Sequence, residues 1–472
     1  MNRYLAKKRI EDLRGEDTEG AGLKRSLGPG RLLALGIGAI IGAGIFVLTG
    51  EAASQYAGPA ITLSFVLGGI TCAFAGLCYA EFAALIPIAG SAYTYSYATL
   101  GELVAWIIGW DLILEYAVGA ATVGVGWAGY VASLLRDFGV TVPHPQGFNV
   151  LAMVGILAVT AVLATGTKES ASANAVIVVI KLVVIAAFLG FGVFHLRPAN
   201  WHPFLPPNTG HFGQFGLSGV LRGAGVIFFA YSGFDAVSCA AQEAKNPQRD
   251  MPIGILGSLA VCTVLYILVA GVLTGLVPYK SLNVADPIAV GVGAIGIGWL
   301  IGLVKLGVIA GLSSVMLVLL YGQSRIFYTM ADDGLLPSIF SRLSLRFHTP
   351  AAATWLLGVI VSLIAAFVPL ALLGKLVSVG TLFAFILVCT GVLYLRRTQP
   401  DLPRPFRCPG LPAVPILGIL CCLYLISVLP LSTQVRLVVW LLLGFIVYFG
   451  YSRHHSKLHK ANSSKLHKAN SS

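Results

Sequence analysis

Long apolar runs recur along nearly the whole chain of 472 residues, and they constrain its fold more than any other feature. A helix of about 20 apolar residues crosses a hydrocarbon core of about 30 Å. Only 11% of the residues are charged, against roughly 25% in a soluble domain. The alternation of apolar and polar residues that is typical of a membrane β-barrel is absent from the sequence. The chain is therefore predicted to be an all-α polytopic membrane protein.

The apolar runs predict twelve membrane spans. Their approximate ranges are 31–54, 59–86, 101–134, 149–166, 171–195, 217–241, 252–277, 295–328, 351–369, 373–395, 411–429 and 433–450. An even number of spans places both termini on the same side of the membrane.

The distribution of basic residues predicts which side that is. The N-terminal segment, the even-numbered loops and the tail hold 23 of the 31 Lys and Arg residues, and the odd-numbered loops hold five. Basic residues accumulate on the cytoplasmic side, so we expect both termini in the cytoplasm of a cell whose plasma (inner) membrane holds the protein. The net charge of +12 mostly reflects this bias. Basic tails that contact the anionic surface of the lipid bilayer are a sufficient explanation for it, so the charge does not predict nucleic-acid binding.

The first span contains an unusual stretch, GIGAIIGAG at 36–44, with four glycines in nine residues. Each glycine disfavours a helix interior by about 1 kcal/mol relative to alanine. Three interpretations compete: a nucleotide-binding loop, a helix-packing GxxxG motif, and a helix that unwinds inside the membrane. A nucleotide loop needs a preceding β-strand, and the sequence predicts none here.

The sixth span contains a second anomaly and favours unwinding. Residues 228–233 read FFAYSG, directly before the ionisable Asp235. Gly42 lies about twelve residues into span 1 and Phe229 about twelve residues into span 6 from the opposite face, which is about 18 Å deep in each case. Interrupted helices at matching depth in spans 1 and 6 predict two inverted repeats of five spans.

The chain then divides into five parts. They are the cytoplasmic N-terminal segment 1–30, the first five-helix repeat 31–195, the second, inverted repeat 217–395, helices 11 and 12 at 411–450, and the cytoplasmic tail 451–472. The tail ends in a direct repeat of KLHKANSS, which we exclude from the functional argument.

Unwinding would expose backbone groups that suit a zwitterion. Freed N–H groups at the start of the outer half of span 1 suit a carboxylate, and freed carbonyl groups suit an ammonium. Non-helical backbone is tolerated at this depth only where it is buried in protein or lines a cavity. An α-amino acid carries both groups.

The sequence resembles the amino acid–polyamine–organocation superfamily and, within it, the cationic amino acid transporter family. Four stretches carry the resemblance: LGIGAIIGAGIFVLTG at 35–50, YAEFAALIPIAGSAYTYSYATLGELVAWIIGWDLILEY at 79–116, FFAYSGFDAVSCAAQEAKNPQRDMPIGI at 228–255 and RIFYTMADDGLLP at 325–337 followed by Thr349-Pro350. The chain departs from animal members at Gln242-Glu243, where two acidic residues are usual, and Glu115 is similar to bacterial members.

The resemblance implies a sodium-symporter-like fold of five plus five helices and amino acid uptake. It implies that the α-carboxylate meets the backbone of Gly42, Ala43 and Gly44. The carbonyl groups that it implies for the α-ammonium are those near Ile40, Phe229, Ala230 and Ser232. Phe229 resembles the aromatic gate that closes over the substrate in related transporters.

Ionisable residues inside the spans are costly, and two of them are candidates for function. Lys181 lies about 15 Å from either face, too deep for easy snorkelling. The resemblance places Lys181 opposite span 8, where Ser313 and Ser314 belong to a run similar to a sodium site. The Lys181 ammonium would replace the sodium ion there, and the lysine side chain would bind and release protons. Glu115 in span 3 is a candidate partner for a cationic substrate side chain, with Asp111 one turn earlier as its rival.

The leading hypothesis is a secondary transporter that takes up an L-amino acid, cationic or small and neutral, together with protons by alternating access. An amino acid exchanger and an amino-acid-sensing receptor remain alternatives, and a channel or an intramembrane enzyme are weaker ones. An enzyme is not expected, because none of the nine histidines lies in the interior of a span. No metal or cofactor is expected apart from the proton as coupling ion, and the sequence leaves an auxiliary subunit open.

Overall fold

The computed structural model describes residue 7 and residues 27–86, 91–142, 147–165, 171–344 and 350–458. Most of the predicted segment 1–30 and the tail beyond residue 458 therefore lie outside the described residues, as does Thr349. The described part is helical, and its extended pairing is a single bridge between Leu27 and Ala244.

The helices of seven or more residues are numbered here in chain order. They are α1 (Pro29–Ile40), α2 (Ile61–Leu85), α3 (Ser91–Thr99), α4 (Glu102–Asp137), α5 (Val150–Ala164), α6 (Ala171–Val193), α7 (Gly216–Ile227), α8 (Pro247–Leu276), α9 (Pro287–Gly293), α10 (Gly298–Asp332), α11 (Ala351–Phe367), α12 (Leu370–Thr398), α13 (Ala413–Val428) and α14 (Leu431–Val447).

These helices agree with a multi-pass membrane protein. Among the described residues, seven helical stretches are long and apolar enough to cross a membrane, and four more apolar helices are shorter. One of the seven, Pro29–Leu85, is 57 residues long and holds the first two predicted spans. Each predicted span falls on one of these helices, and the count of twelve stays a prediction. The sequence did not predict the short helices α3 and α9.

The helices pack in pairs that share a pattern. Helix α1, which ends at the first interruption, packs along α8, and α7, the first part of span 6, packs along α2. Helix α2 packs on α8, α4 on α10, and α5 on α11. These pairings match those that two inverted five-helix repeats would give, and the repeat itself stays a prediction.

Charged residues near the helix ends hold neighbouring helices together. The guanidinium of Arg396 donates two hydrogen bonds of 2.9 Å to the Glu81 carboxylate, which joins α12 to α2. The ammonium of Lys305 on α10 donates to Asp137 at 2.6 Å, at the end of α4. Lys305 therefore has a structural partner, as its position near a helix end predicts.

The N-terminal end of α4 is fixed by a buried carboxylate. Glu102 accepts hydrogen bonds from Tyr97 on α3 and from Tyr448 and Ser456, which follow α14. One carboxylate thus ties α3, α4 and the last described segment together.

Candidate functional site

The first interruption lies inside the glycine-rich stretch. Helix α1 ends at Ile40, Ile41 has an extended backbone with φ −73° and ψ 98°, and helical structure resumes as a π-helix at Gly44–Leu48. The break is shorter than the glycine-rich stretch 36–44, because the N–H group of Ile41 still closes the last turn of α1. Gly38 consequently stays helical.

The second interruption lies in the FFAYSG stretch. Helix α7 gives way to a 3₁₀ turn at Phe228–Tyr231, and Ser232 is extended with φ −58° and ψ 140°. Gly233 follows with φ 112°, a left-handed conformation that glycine adopts without steric cost. A short helix then begins at Ala236.

The two interruptions touch each other, and glycine makes this possible. A Cβ atom at Gly44 would lie 2.2 Å from Cα of Ala230, and one at Gly233 would lie 2.8 Å from the carbonyl oxygen of Ala39. Real Cβ atoms do not approach other atoms so closely. The glycines are therefore required where the two broken helices pack backbone to backbone, in addition to any effect on helix propensity.

Tyr266 of α8 joins the two interruptions. Its hydroxyl lies 2.7 Å from the carbonyl oxygen of Ile40 and 2.8 Å from that of Ala230. The side chain is fully buried. A phenol has one proton to donate, so the two carbonyl groups share a single donor.

Lys181 of α6 contacts the end of α1. Its ammonium donates to the carbonyl oxygens of Gly38 at 2.7 Å and Ile41 at 3.0 Å, and the side chain is fully buried. The aliphatic part of Lys181 packs against Gly311 of α10, where an added Cβ atom would lie 2.9 Å from Cε. The amine thus lies where α1, α6 and α10 meet.

The two serines of span 8 lie near this junction on α10. The Ser313 hydroxyl donates to the carbonyl of Ile309 at 2.8 Å and accepts from the Trp127 indole at 2.9 Å. Ser314 is buried on the same helix. The Lys181 ammonium therefore donates to α1 carbonyl groups, whereas the Ser313 hydroxyl bonds to α4 and to its own helix.

Glu115 of α4 faces the second interruption. Its Oε1 atom accepts one hydrogen bond from the Ser232 hydroxyl and one from the Thr381 hydroxyl, each 2.7 Å long. Glu115 is 4% exposed. The carboxylate therefore connects α4, the second break and α12.

Two adjoining cavities lie between the breaks and α10. The first is lined by Gly42, Ala43, Gly44 and Phe229, and the second by Glu115, Tyr116, Gly233 and Asp235. Both share the walls formed by Ala39, Ser232, Val315 and Leu319. The residues that the sequence predicts for head-group binding, apart from Ala230, therefore line one continuous region with Glu115 at its other end.

Several predicted acceptors already have partners. The carbonyl groups of Ile40 and Ala230 accept from Tyr266, and that of Phe229 accepts from the N–H group of Ser232. Each carbonyl oxygen has two lone pairs and retains capacity for a second donor. The Phe229 N–H group donates to the hydroxyl of Ser378, which anchors this residue to α12.

The sequence did not single out three residues of this site: Tyr266, Thr381 and Ser378. Their shared signal is a hydroxyl group inside an apolar span, where an unpaired polar group is costly and therefore implies a partner. That signal does not identify the partner. No group of three or more His, Cys, Asp or Glu residues that could hold a metal ion occurs in the described ranges.

Comparison with known proteins decides the family. A family model described as amino acid permease matches residues 27–451, which include both breaks, Lys181 and Glu115. The chain belongs to the amino acid permease family. Membership indicates a membrane-embedded transporter of amino acids rather than an enzyme.

Individual relatives of this permease cover nearly all of it. "Branched-chain amino acid permease BcaP" of Bacillus subtilis is 46% identical over 467 residues, which are 96% of this chain and 98% of the relative. "Methylthioribose transporter" of the same organism is 45% identical over 470 residues, 98% of this chain and all of the relative. "Cationic amino acid transporter 4, vacuolar" of Arabidopsis thaliana is 38% identical over 412 residues, 85% of this chain and 68% of the relative.

Proposed function

We propose that this permease is a secondary active transporter that takes up an L-amino acid together with a proton. One observation carries the proposal: the fully buried amine of Lys181 holds two carbonyl groups at the edge of the first break. A group that binds a proton thereby contacts the backbone next to the residues that are proposed to bind substrate.

The proton changes the strength of this contact. A charged ammonium has three donors, and hydrogen bonds from charged groups are worth about 1.5–3 kcal/mol against about 0.5–1.5 kcal/mol for neutral ones. Burial disfavours the charged form, so Lys181 is a site that gains and loses a proton when its surroundings change. Loss of the proton would loosen α1 from α6 and allow the helices to move.

The first cavity is proposed to hold the substrate head group. Its walls include Gly42, Ala43 and Gly44, where the outer helical segment begins and where N–H groups favour a carboxylate. Carbonyl groups of Ile40 and Ala230 would accept from the α-ammonium alongside Tyr266. Phe229 lines the same cavity and is proposed to close over the substrate.

The second cavity is proposed to hold the side chain. Val315, Val318 and Leu319 line it, and aliphatic walls favour a neutral aliphatic side chain. Glu115 and Asp235 line the opposite side and make a cationic side chain the competing class. Relatives named for branched-chain and for cationic amino acids agree with either class.

Reconstituted proteoliposomes test the proposal. Saturable counterflow of labelled amino acid supports transport, whereas intact binding without counterflow would favour a receptor and overturn it. Net accumulation driven by a pH gradient without sodium supports symport. Accumulation only in exchange for internal amino acid would favour an exchanger.

Lys181→Ala tests the coupling site. We expect it to abolish accumulation driven by a pH gradient while binding persists in part. Lys181→Arg separates a titrating amine from a permanent brace, because arginine keeps its proton. Lys305→Ala is the matched control, since it also removes a buried lysine but one that pairs with Asp137, and coupling should survive. If Lys181→Ala still concentrates substrate, or if Lys181→Arg behaves as wild type, the coupling role is wrong.

A further inference from the structure

Asp111 of α4 is a buried carboxyl group without a hydrogen-bond partner. Its side chain is 0% exposed, and both carboxyl oxygens lack a donor among the described residues. It packs against Gly380 of α12, where an added Cβ atom would lie 3.3 Å from Oδ1. The proposed transport function assigns nothing to this group.

Asp111 and Glu115 form a pair across one helical turn. Residues four apart on a helix have Cβ atoms about 5–6 Å apart. Two carboxylates this close in a protein interior do not both ionise readily, so the pair favours holding at least one proton.

The hydrogen bonds decide which member holds it. Two hydroxyl groups donate to Oε1 of Glu115, and donors to a carboxylate favour its charged form. Asp111 has no such donor within the described part of the chain. An unpaired neutral polar group is costly in a protein interior, but an unpaired buried charge costs far more. The proton therefore belongs on Asp111.

We propose that Asp111 is a proton-storing residue that carries a proton in this arrangement of the helices and thereby keeps Glu115 ionised toward the substrate cavity. Thr381, next to Gly380 on α12, holds the Glu115 end of the pair. Asp111 lies outside the residues that line the cavity, so it is a positioning residue that acts through Glu115.

Asp235 is a third carboxyl group near this pair. It lines the same cavity as Glu115. Asp235 accepts from the Tyr116 hydroxyl at 3.4 Å and from the N–H group of Gly233. Helix α12 presents Gly380 rather than a charged side chain to Asp111.

Substrate binding should depend on whether Asp111 keeps its proton. A neutral carboxyl group stabilises this arrangement of the helices at pH values where the proton stays bound, and the stabilisation is lost as the pH rises. We expect wild-type affinity for a neutral amino acid to fall at alkaline pH. Asp111→Asn cannot lose a proton, so its affinity should lose this alkaline fall.

Infrared spectroscopy of the purified, full-length permease tests the protonation directly. A protonated carboxyl group has a C=O stretching band that shifts in D₂O, and we expect the wild type to lose such a band in Asp111→Asn. Asp332→Asn, which changes an exposed carboxylate, is the control and should retain the band. An unchanged spectrum in Asp111→Asn would overturn the proposal.

A second pair of variants keeps the test decisive if Asp111→Asn fails to fold. Thr381→Val removes one donor from Glu115 at nearly constant volume, and Thr381→Ser keeps the hydroxyl group. We expect the carboxyl band and the alkaline limb of binding to change in Thr381→Val and to stay in Thr381→Ser. If Thr381→Val and Thr381→Ser gave the same carboxyl band and the same pH dependence of binding, the proposed sharing of a proton between Asp111 and Glu115 would be wrong. This inference rests on the proposed function only in its binding measurement, because the infrared result stands whether or not the protein transports.

Discussion

The bridge from Tyr266 to both interruptions gives the sharpest prediction about the substrate site. Tyr266→Phe removes one hydroxyl group and leaves the ring and its packing against Phe65 and Tyr231 in place. Ile40 and Ala230 share the single phenolic proton, so the loss counts as one buried donor rather than two. Leaving a buried acceptor without its donor costs about 1–3 kcal/mol.

This cost converts to a measurable change in affinity. If the bridge holds the two breaks in the substrate-binding arrangement, the whole cost appears as weaker binding. One factor of ten corresponds to about 1.4 kcal/mol, so we expect the dissociation constant to rise about 5- to 150-fold. Equilibrium binding of labelled substrate to the permease in lipid nanodiscs, with melting temperature measured on the same sample, provides both readouts.

Tyr231→Phe is the matched control for this experiment. Its hydroxyl also donates to a buried backbone carbonyl, that of Phe65 at 2.6 Å, but this carbonyl lies in helix α2. We expect both variants to lower the melting temperature and only Tyr266→Phe to weaken binding strongly. Equal losses of affinity, or tighter binding in Tyr266→Phe because a carbonyl becomes free for the ammonium, would refute the bridging role.

Three further predictions concern the site and the topology. Gly44→Ala should abolish binding without preventing membrane insertion, because its Cβ atom would lie 2.2 Å from Cα of Ala230 in the second break. Gly302→Ala is the control and should bind normally, because the added Cβ atom has no neighbour within 4 Å. Binding by Gly44→Ala would exclude the close approach of the two breaks. Glu115→Gln keeps an oxygen for the hydroxyl groups of Ser232 and Thr381 but removes the charge. It should therefore weaken the binding of lysine or arginine by about tenfold or more and largely spare that of alanine. Equal losses of affinity for basic and neutral substrates would assign Glu115 to structure or to the α-ammonium. Single cysteines in the 200–213 loop should react with an impermeant thiol reagent from outside intact cells, whereas labelling of the 396–410 loop from outside would invert the proposed topology.

The positions of both interruptions could be predicted from sequence because their causes are local. Four glycines within 36–44 and the FFAYSG stretch weaken or redirect a helix wherever it packs. The length of the first break could not be predicted, since Gly38 stays helical through the hydrogen bond that closes the last turn of α1. The depth and charge of Lys181 and Glu115 likewise marked them as costly in a membrane without naming their partners.

The sequence by itself determined the class of the protein, its long apolar helices and the two weak points in them, because apolar length and glycine content act within about 20 residues. Only the tertiary structure decided what those points contact. Tyr266 meets Ile40 across 226 positions of sequence, and Thr381 meets Glu115 across 266. A hydroxyl group in an apolar span predicts a hydrogen-bond partner, but the packing of distant helices decides which residue is that partner. The unpartnered carboxyl of Asp111 became visible only when burial and the donors around Glu115 were known together.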